Sequence, residues 1–150
     1  MSLSLSQDVY NALRAHGEET YPHECCGIML GKTTDDGIEV HILVRAGNTR
    51  TDSAHNRYNI APQEIIKAQR EGRQWGLDIV GFYHSHPDHP AQWSVTDFNE
   101  AHWFGCAYVI TAVDGDKSTG KATITNSFLL TGASEEDKAF ANQDIVIASS

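Results

Sequence analysis

Residues Asp78 to His86 (DIVGFYHSH) are β-branched and aromatic and read as one buried strand, which obliges the rest of the chain to build a sheet around it. Cys25–Gly31 is a short apolar run containing and ending in glycine, and Ile38–Val44 is a second strand candidate. Between them Asp35-Asp36-Gly37 supplies hairpin turn chemistry. Tyr108–Val113 and Ala122–Leu130 read as closing strands, joined through Asp114-Gly115-Asp116 and the Ser118–Gly120 stretch. A helix is expected over residues 4–16, with Leu5, Val9, Ala12 or Leu13, and His16 on one face. Ser4 with Gln7 resembles a capping box at its start, and Gly17 and Pro22 punctuate its end. Residues 45–57 are polar and aperiodic, as in a long surface loop, and Tyr58-Asn59-Ile60 suits a short strand. Pro62 opens a helix to about Trp75, stopped by Gly76, and another helix is expected over about Val95–Phe104. Strands in both neighbouring and helix-separated positions imply an α/β or α+β chain with a single mixed sheet flanked by helices. Residues 131–150 are ambiguous, with Ile145-Val146-Ile147 an edge strand or a docked tail.

One hundred and fifty residues suit a single domain able to bury its own core. Twenty acidic residues against eleven basic ones give a net charge of −9, which argues against nucleic acid and against anionic membrane surfaces as partners. MSLSLSQDVY has no basic n-region and no long apolar segment, so no secretory signal is expected. No apolar run reaches the roughly 20 residues of a bilayer span. Cys25, Cys26 and Cys106 include an adjacent pair and no CxxC, which points to free thiols and a cytoplasmic setting.

The chemistry concentrates in residues 84–97, HSHPDHPAQWSVTD. On an extended strand His84 and His86 point the same way, roughly 7 Å apart at Cα, and can converge on one metal ion. Asp97, at the start of the next helix, would complete a three-ligand set. Three protein ligands leave one position of a tetrahedral zinc for water, the mark of a catalytic site. Water so bound has its pKa lowered to about 7 and serves as nucleophile at neutral pH. Ser94-x-x-Asp97 is equally a capping box, and one pair of residues can serve structure and site together. His89, on a proline-flanked loop, reads as a rim histidine.

His84-Ser85-His86-Pro87, six residues, then Ser94-Val95-Thr96-Asp97 resembles the signature of the JAMM (MPN+) metalloproteases. Pro22-His23-Glu24-Cys25-Cys26-Gly27, running on to Gly31, is similar to the glutamate-bearing segment of their compact bacterial branch. The resemblance covers about residues 5–130 and implies the MPN fold, akin to cytidine-deaminase-like architecture. It implies Zn²⁺ held by His84, His86 and Asp97, with Glu24 as the acid–base and Ser94 as donor to the oxyanion or the water. The implied substrate is the C-terminal tail of a ubiquitin-like sulfur carrier, cut after its diglycine to release a residue, extension or cysteine adduct. One departure is Trp93, where bacterial relatives often carry proline. It is a candidate groove wall together with the 45–57 loop, and equally a candidate core residue.

Four other readings compete. A silent MPN-type scaffold would have a broken ligand set, whereas all four residues are present. A deubiquitinase-like enzyme acting on chains would carry insertions for which 150 residues leave little room, although a related isopeptidase acting on conjugated ubiquitin-like protein remains an alternative. A zinc deaminase needs H-x-E and P-C-x-x-C, which Pro22-His23-Glu24-Cys25-Cys26 does not supply. A cysteine hydrolase using Cys25 or Cys106 conflicts with their apolar surroundings.

Overall fold

The buried strand is β4 (Asp78–Pro87), and in the computed structural model it is the hub of the sheet. The structure describes residues 2–47, 60–116 and 118–148. On one side β4 pairs antiparallel with β2 (Cys26–Thr34), and on the other parallel with β5 (Ala107–Gly115). β2 turns through Asp35 and Asp36 into β3 (Gly37–Ala46), as the turn chemistry indicates. β5 continues antiparallel into β6 (Gly120–Thr131). The mixed sheet is flanked by α1 (Gln7–Thr20), α2 (Pro62–Gln74) and the short α3 (Val95–Asn99).

Three expectations are corrected. Residues 2–6 are a strand, β1 (Ser2–Ser6), with Leu3 and Leu5 buried and the serines half-buried. The helix therefore starts later, and its cap is Ser6, whose Oγ accepts from the Val9 amide at 3.2 Å, rather than Ser4. The helix expected to reach Phe104 stops at Asn99. Ile145–Ile147 is neither an edge strand nor a docked tail: it lies in β7 (Ala139–Ala148), which pairs antiparallel with β6 and parallel with β1. Since β1 also pairs parallel with β3, the sheet closes into a barrel in the order β1-β3-β2-β4-β5-β6-β7. Ile60 makes a single bridge, while Tyr58 and Asn59 lie outside the described residues. Of the expected 45–57 loop, Arg45 and Ala46 belong to β3, and residues 48–57 lie outside the described residues.

Alternation along the strands divides the core between two faces. One set (Leu3, Leu5, Met29, Ile38, Val40, Val80, Tyr83, Val109) packs with Leu13 of α1. The other (Ile28, Leu30, Phe82, Tyr108, Leu130) packs with Ala68 of α2. On β4, Tyr83 goes with the α1 set, so Phe82, His84 and His86 share the opposite face.

On the α1 side, His16 is buried and its Nδ1 lies 2.9 Å from the Tyr83 hydroxyl. Burial raises the pKa of the Tyr83 phenol, which therefore stays protonated and donates to a neutral imidazole. Burial lowers the His16 pKa to about 4 from 6.5, reinforced by the Arg45 guanidinium and opposed by Glu19. Between those values the unfolded chain binds a proton that the folded chain refuses, so stability present above pH 6.5 is lost as pH falls toward 4. The loss is expected to be on the order of 2 kcal/mol. Urea unfolding of wild type and His16→Gln across pH 4–7 measures it; a wild-type slope no steeper than the variant's would refute the assignment.

Candidate metal centre

Glu24 lies two residues before β2 and His84 sits in β4, where Cys26 pairs with His84. The Ser85 amide donates to the Cys25 carbonyl at 3.2 Å, which continues the ladder, and the Cys25 amide donates to the Ser85 side chain, at Oγ, at 2.9 Å. Extending this register sets Glu24 beside His86, on the face that carries both histidines. Glu24 and His84 are 4% and 2% exposed. One ligand atom from each of Glu24, His84 and His86 lies within 4.8 Å of the others.

Asp97 reaches the same point from α3. Its carboxylate oxygens lie 3.3 Å from His84 Nε2 and 3.1 Å from His86 Nε2, and the two Nε2 atoms are 3.1 Å apart. The capping box exists as read: the Asp97 amide donates to Ser94 Oγ at 3.0 Å, and the Ser94 amide to Asp97 Oδ2 at 2.9 Å. The Ser94 hydroxyl proton is therefore available to point into the adjoining cleft. The segment between is pinned at Asp88, whose φ of 57° suits the left-handed conformation Asp tolerates. The Tyr21 hydroxyl donates to Asp88 Oδ2 at 2.7 Å and the Gly115 amide to Oδ1 at 2.9 Å. No sequence pattern pointed to this anchor of the loop.

The donor set fits a divalent cation. His86 Nδ1 lies 2.9 Å from the Pro90 carbonyl, which only accepts, so Nδ1 carries the hydrogen and Nε2 presents a lone pair. That lone pair, a second imidazole nitrogen and the carboxylate of Asp97, one oxygen toward each imidazole, face one another and suit a positive charge between them. The 3.1 Å between the two Nε2 atoms approaches the edge of roughly 3.3 Å of a tetrahedron whose ligands stand about 2.0 Å from zinc. The field has the same sense. Burial opposes ionisation of Asp97, yet His84 and His86 together hold its carboxyl well below the usual range. Complete burial lowers the pKa of His84. Burial works the same way on His86, but the Asp97 carboxylate and the Pro90 carbonyl prevail and raise it.

Two clefts meet at Glu24. One, of about 510 Å³, is lined by Glu24, His86, His89, Pro90, Gln92, Trp93 and Ser94. The other, of about 430 Å³, lies toward His16, Thr20, His23, Ala46 and Gly47. Trp93 does two jobs. It is 39% exposed along the first cleft, and its ring also stacks on Phe98 and Phe140, each at 5.4 Å. His89 is an exposed rim residue. All three thiols are buried, and burial disfavours the thiolate form, driving Cys25 up to about 11 and Cys26 and Cys106 to about 12.

The model of prokaryotic homologs of the JAB domain matches residues 6–126. The chain belongs to the prokaryotic JAB-domain family, the compact branch of the JAMM proteins. The desampylase of Haloferax volcanii is 31% identical to it over 119 residues, covering 75% of this chain and 82% of that protein. A probable TtuB-protein conjugate cleaving protease of Thermus thermophilus is 33% identical over 102 residues, 68% of this chain and 64% of that one. The CysO-cysteine peptidase of Mycobacterium tuberculosis is 29% identical over 110 residues, 73% of each chain. The solution structure of a Salinibacter ruber protein superposes with a TM-score of 0.71 at 38% identity, over 99% of this chain and 92% of that one. A Desulfitobacterium hafniense protein gives 0.79 at 22% identity, over 99% and 94%, and shares the fold.

Proposed function

We propose that this JAB-domain chain is a zinc-dependent protease or isopeptidase that hydrolyses the amide bond after the C-terminal diglycine of a ubiquitin-like sulfur carrier, in the cytoplasm. The observation that carries the reading is the convergence of His84, His86 and Asp97 within 3.1–3.3 Å, with the buried Glu24 carboxylate alongside. Two imidazoles and one carboxylate suit zinc, which when bound supplies Lewis acidity to the carbonyl and acidifies water. His84, His86 and Asp97 would hold it, and the Pro90 carbonyl fixes the His86 tautomer. Glu24 takes the proton from the attacking water and returns it to the amine nitrogen as the C–N bond breaks. Ser94 Oγ, already accepting the Asp97 amide, donates a hydrogen bond to the developing oxyanion.

The substrate class follows the relatives, whose names refer to desampylation, TtuB conjugates and CysO-cysteine. A tail added as a strand needs an open edge. β1 covers β3 only at Gly37–Glu39, so among the described residues Val40–Ala46 keep one edge of β3 unpaired. That edge runs toward Ala46 and Gly47, which line the second cleft with Glu24.

The direct test is incubation with ubiquitin-like carriers bearing C-terminal extensions or isopeptide-linked lysine, read by intact mass. Release of a carrier ending in diglycine is expected, and the form cut separates peptidase from conjugate-cleaving activity. No cleavage of any carrier by the zinc-loaded protein would overturn the substrate assignment. Metal analysis should find about one zinc per chain, lost in His84→Ala and Asp97→Ala; metal-free wild-type protein after purification in zinc would sink the mechanism.

A further inference from the structure

Residues 127–150 lie beyond the family-matched segment, yet two of them pack directly behind the catalytic loop. Phe140 of β7 contacts Trp93, Phe98 and Tyr108 at centroid distances of 5.4–5.5 Å. Lys138, at the foot of β7, is buried, which for a lysine demands compensation. Its ammonium has three partners. Nζ donates to the Ala101 carbonyl at 3.0 Å, lies 2.8 Å from Glu135 Oε2, and sits 4.8 Å from the centroid of the Phe98 ring. Ala101 immediately follows α3 and its cap Glu100, and Phe98 is the residue next to Asp97.

We infer that Lys138 is a positioning residue for the metal centre, holding α3 so that Asp97 meets His84 and His86. This rests on the proposed metal site. The physical case is that a five-residue helix cannot hold itself. Its N-terminal end is fixed by the Ser94/Asp97 capping box, whose side chain Asp97 must also serve as ligand. Its C-terminal end carries the negative pole of the backbone and the Ala101 carbonyl, and a buried ammonium meets both. The same ammonium rests on the Phe98 ring, so a shift of that ring would pull on the Asp97 backbone. Glu135, more than half exposed, neutralises the lysine from the solvent side and anchors it less specifically.

The test uses the full chain and zinc itself. Lys138→Met keeps the length and removes the charge. It is expected to raise the zinc dissociation constant about 10–100-fold, measured by chelator competition. In metal-free protein the amides of Phe98, Glu100 and Ala101 should exchange at least about tenfold faster, with the strand amides unmoved. Lys138→Arg should recover most of both effects, and Glu135→Gln should change zinc affinity less than about threefold, as an exposed ion pair would. Phe98→Leu keeps the lysine but removes its ring, and should move both readouts in the same direction even if Lys138→Met does not fold. Unchanged zinc affinity and unchanged α3 exchange in folded variants would overturn the inference, as would exchange accelerated uniformly across the sheet. If wild-type protein binds no zinc, the metal-site reading fails, and the exchange arm alone decides whether Lys138 orders α3.

Discussion

Glu24→Gln is expected to retain zinc at wild-type stoichiometry while kcat falls by about 10²–10⁴-fold. Glutamine has the volume and reach of glutamate, so a position only 4% exposed at the entry to β2 repacks without a cavity. The amide cannot take a proton from water and return it to an amine. His84, His86 and Asp97 offer two imidazole nitrogens and a carboxylate within 3.1–3.3 Å of each other without help from Glu24, so the metal should remain. KM should change little, because the proton transfer is felt in the transition state and not in tail binding. Glu24→Asp, which withdraws the carboxylate by one methylene, should fall between the two. Single-turnover rates alongside metal analysis distinguish the outcomes: an unchanged rate removes Glu24 from the proton-transfer role, and lost metal reassigns it as a ligand.

The second large effect is on stability. Gly27 pairs with Tyr83 across β2 and β4, and a Cβ at residue 27 would overlap the Tyr83 ring. That ring is 1% exposed and tied through its hydroxyl to His16, so it has nowhere to move. Gly27→Val is therefore expected to cost about 4 kcal/mol or more, enough to leave most single domains only marginally folded. The cost should reach the metal centre as well, since Tyr83 is the backbone neighbour of His84. Urea unfolding gives the loss, and a double-mutant cycle locates its cause. Gly27→Ala combined with Tyr83→Ala should lose less than the separate effects added; strict additivity would show that the ring is not the obstacle.

The motif that made the chain legible turns out to be packing and chemistry combined. Gly27 and Gly31 belong to the segment that also carries Glu24, and each lies where a side chain has no room. Residue 27 faces the Tyr83 ring, and residue 31 faces the Glu39 carbonyl at the irregularity in the β2–β3 ladder. The hairpin, the Pro62 helix and the histidine strand were readable because their signals are local. In β1 Leu3 and Leu5 alternate with serines, yet the capping-like Ser4 and Gln7 fit a helix equally well, and the strand's true partners lie far along the chain in β3 and β7. The end of α3 was misplaced because tertiary contacts capture the backbone that a longer helix would use. Lys138 takes the Ala101 carbonyl, and the Tyr108 hydroxyl accepts the Trp103 amide at 3.1 Å. In the site, the convergence of the two histidines with Asp97 follows from the spacing. The anchoring of Asp88 by Tyr21 and of α3 by Lys138 depends on residues far apart in sequence with no pattern joining them.

The pairing of Ser2–Ser6 with Asp144–Ala148 has a kinetic consequence. It joins the most distant strands of the described chain, so it has the largest loop-closure entropy to overcome and adds heavily to the contact order. During synthesis β1 emerges long before β7 and must wait for it before both its edges are satisfied. Until then Leu3 and Leu5 sit on a strand that any passing edge can recruit. The strands that gather Glu24, His84 and His86 pair over shorter spans, so the face that carries these side chains can take shape before the barrel is sealed, and closure by β7 is expected to be the slow step.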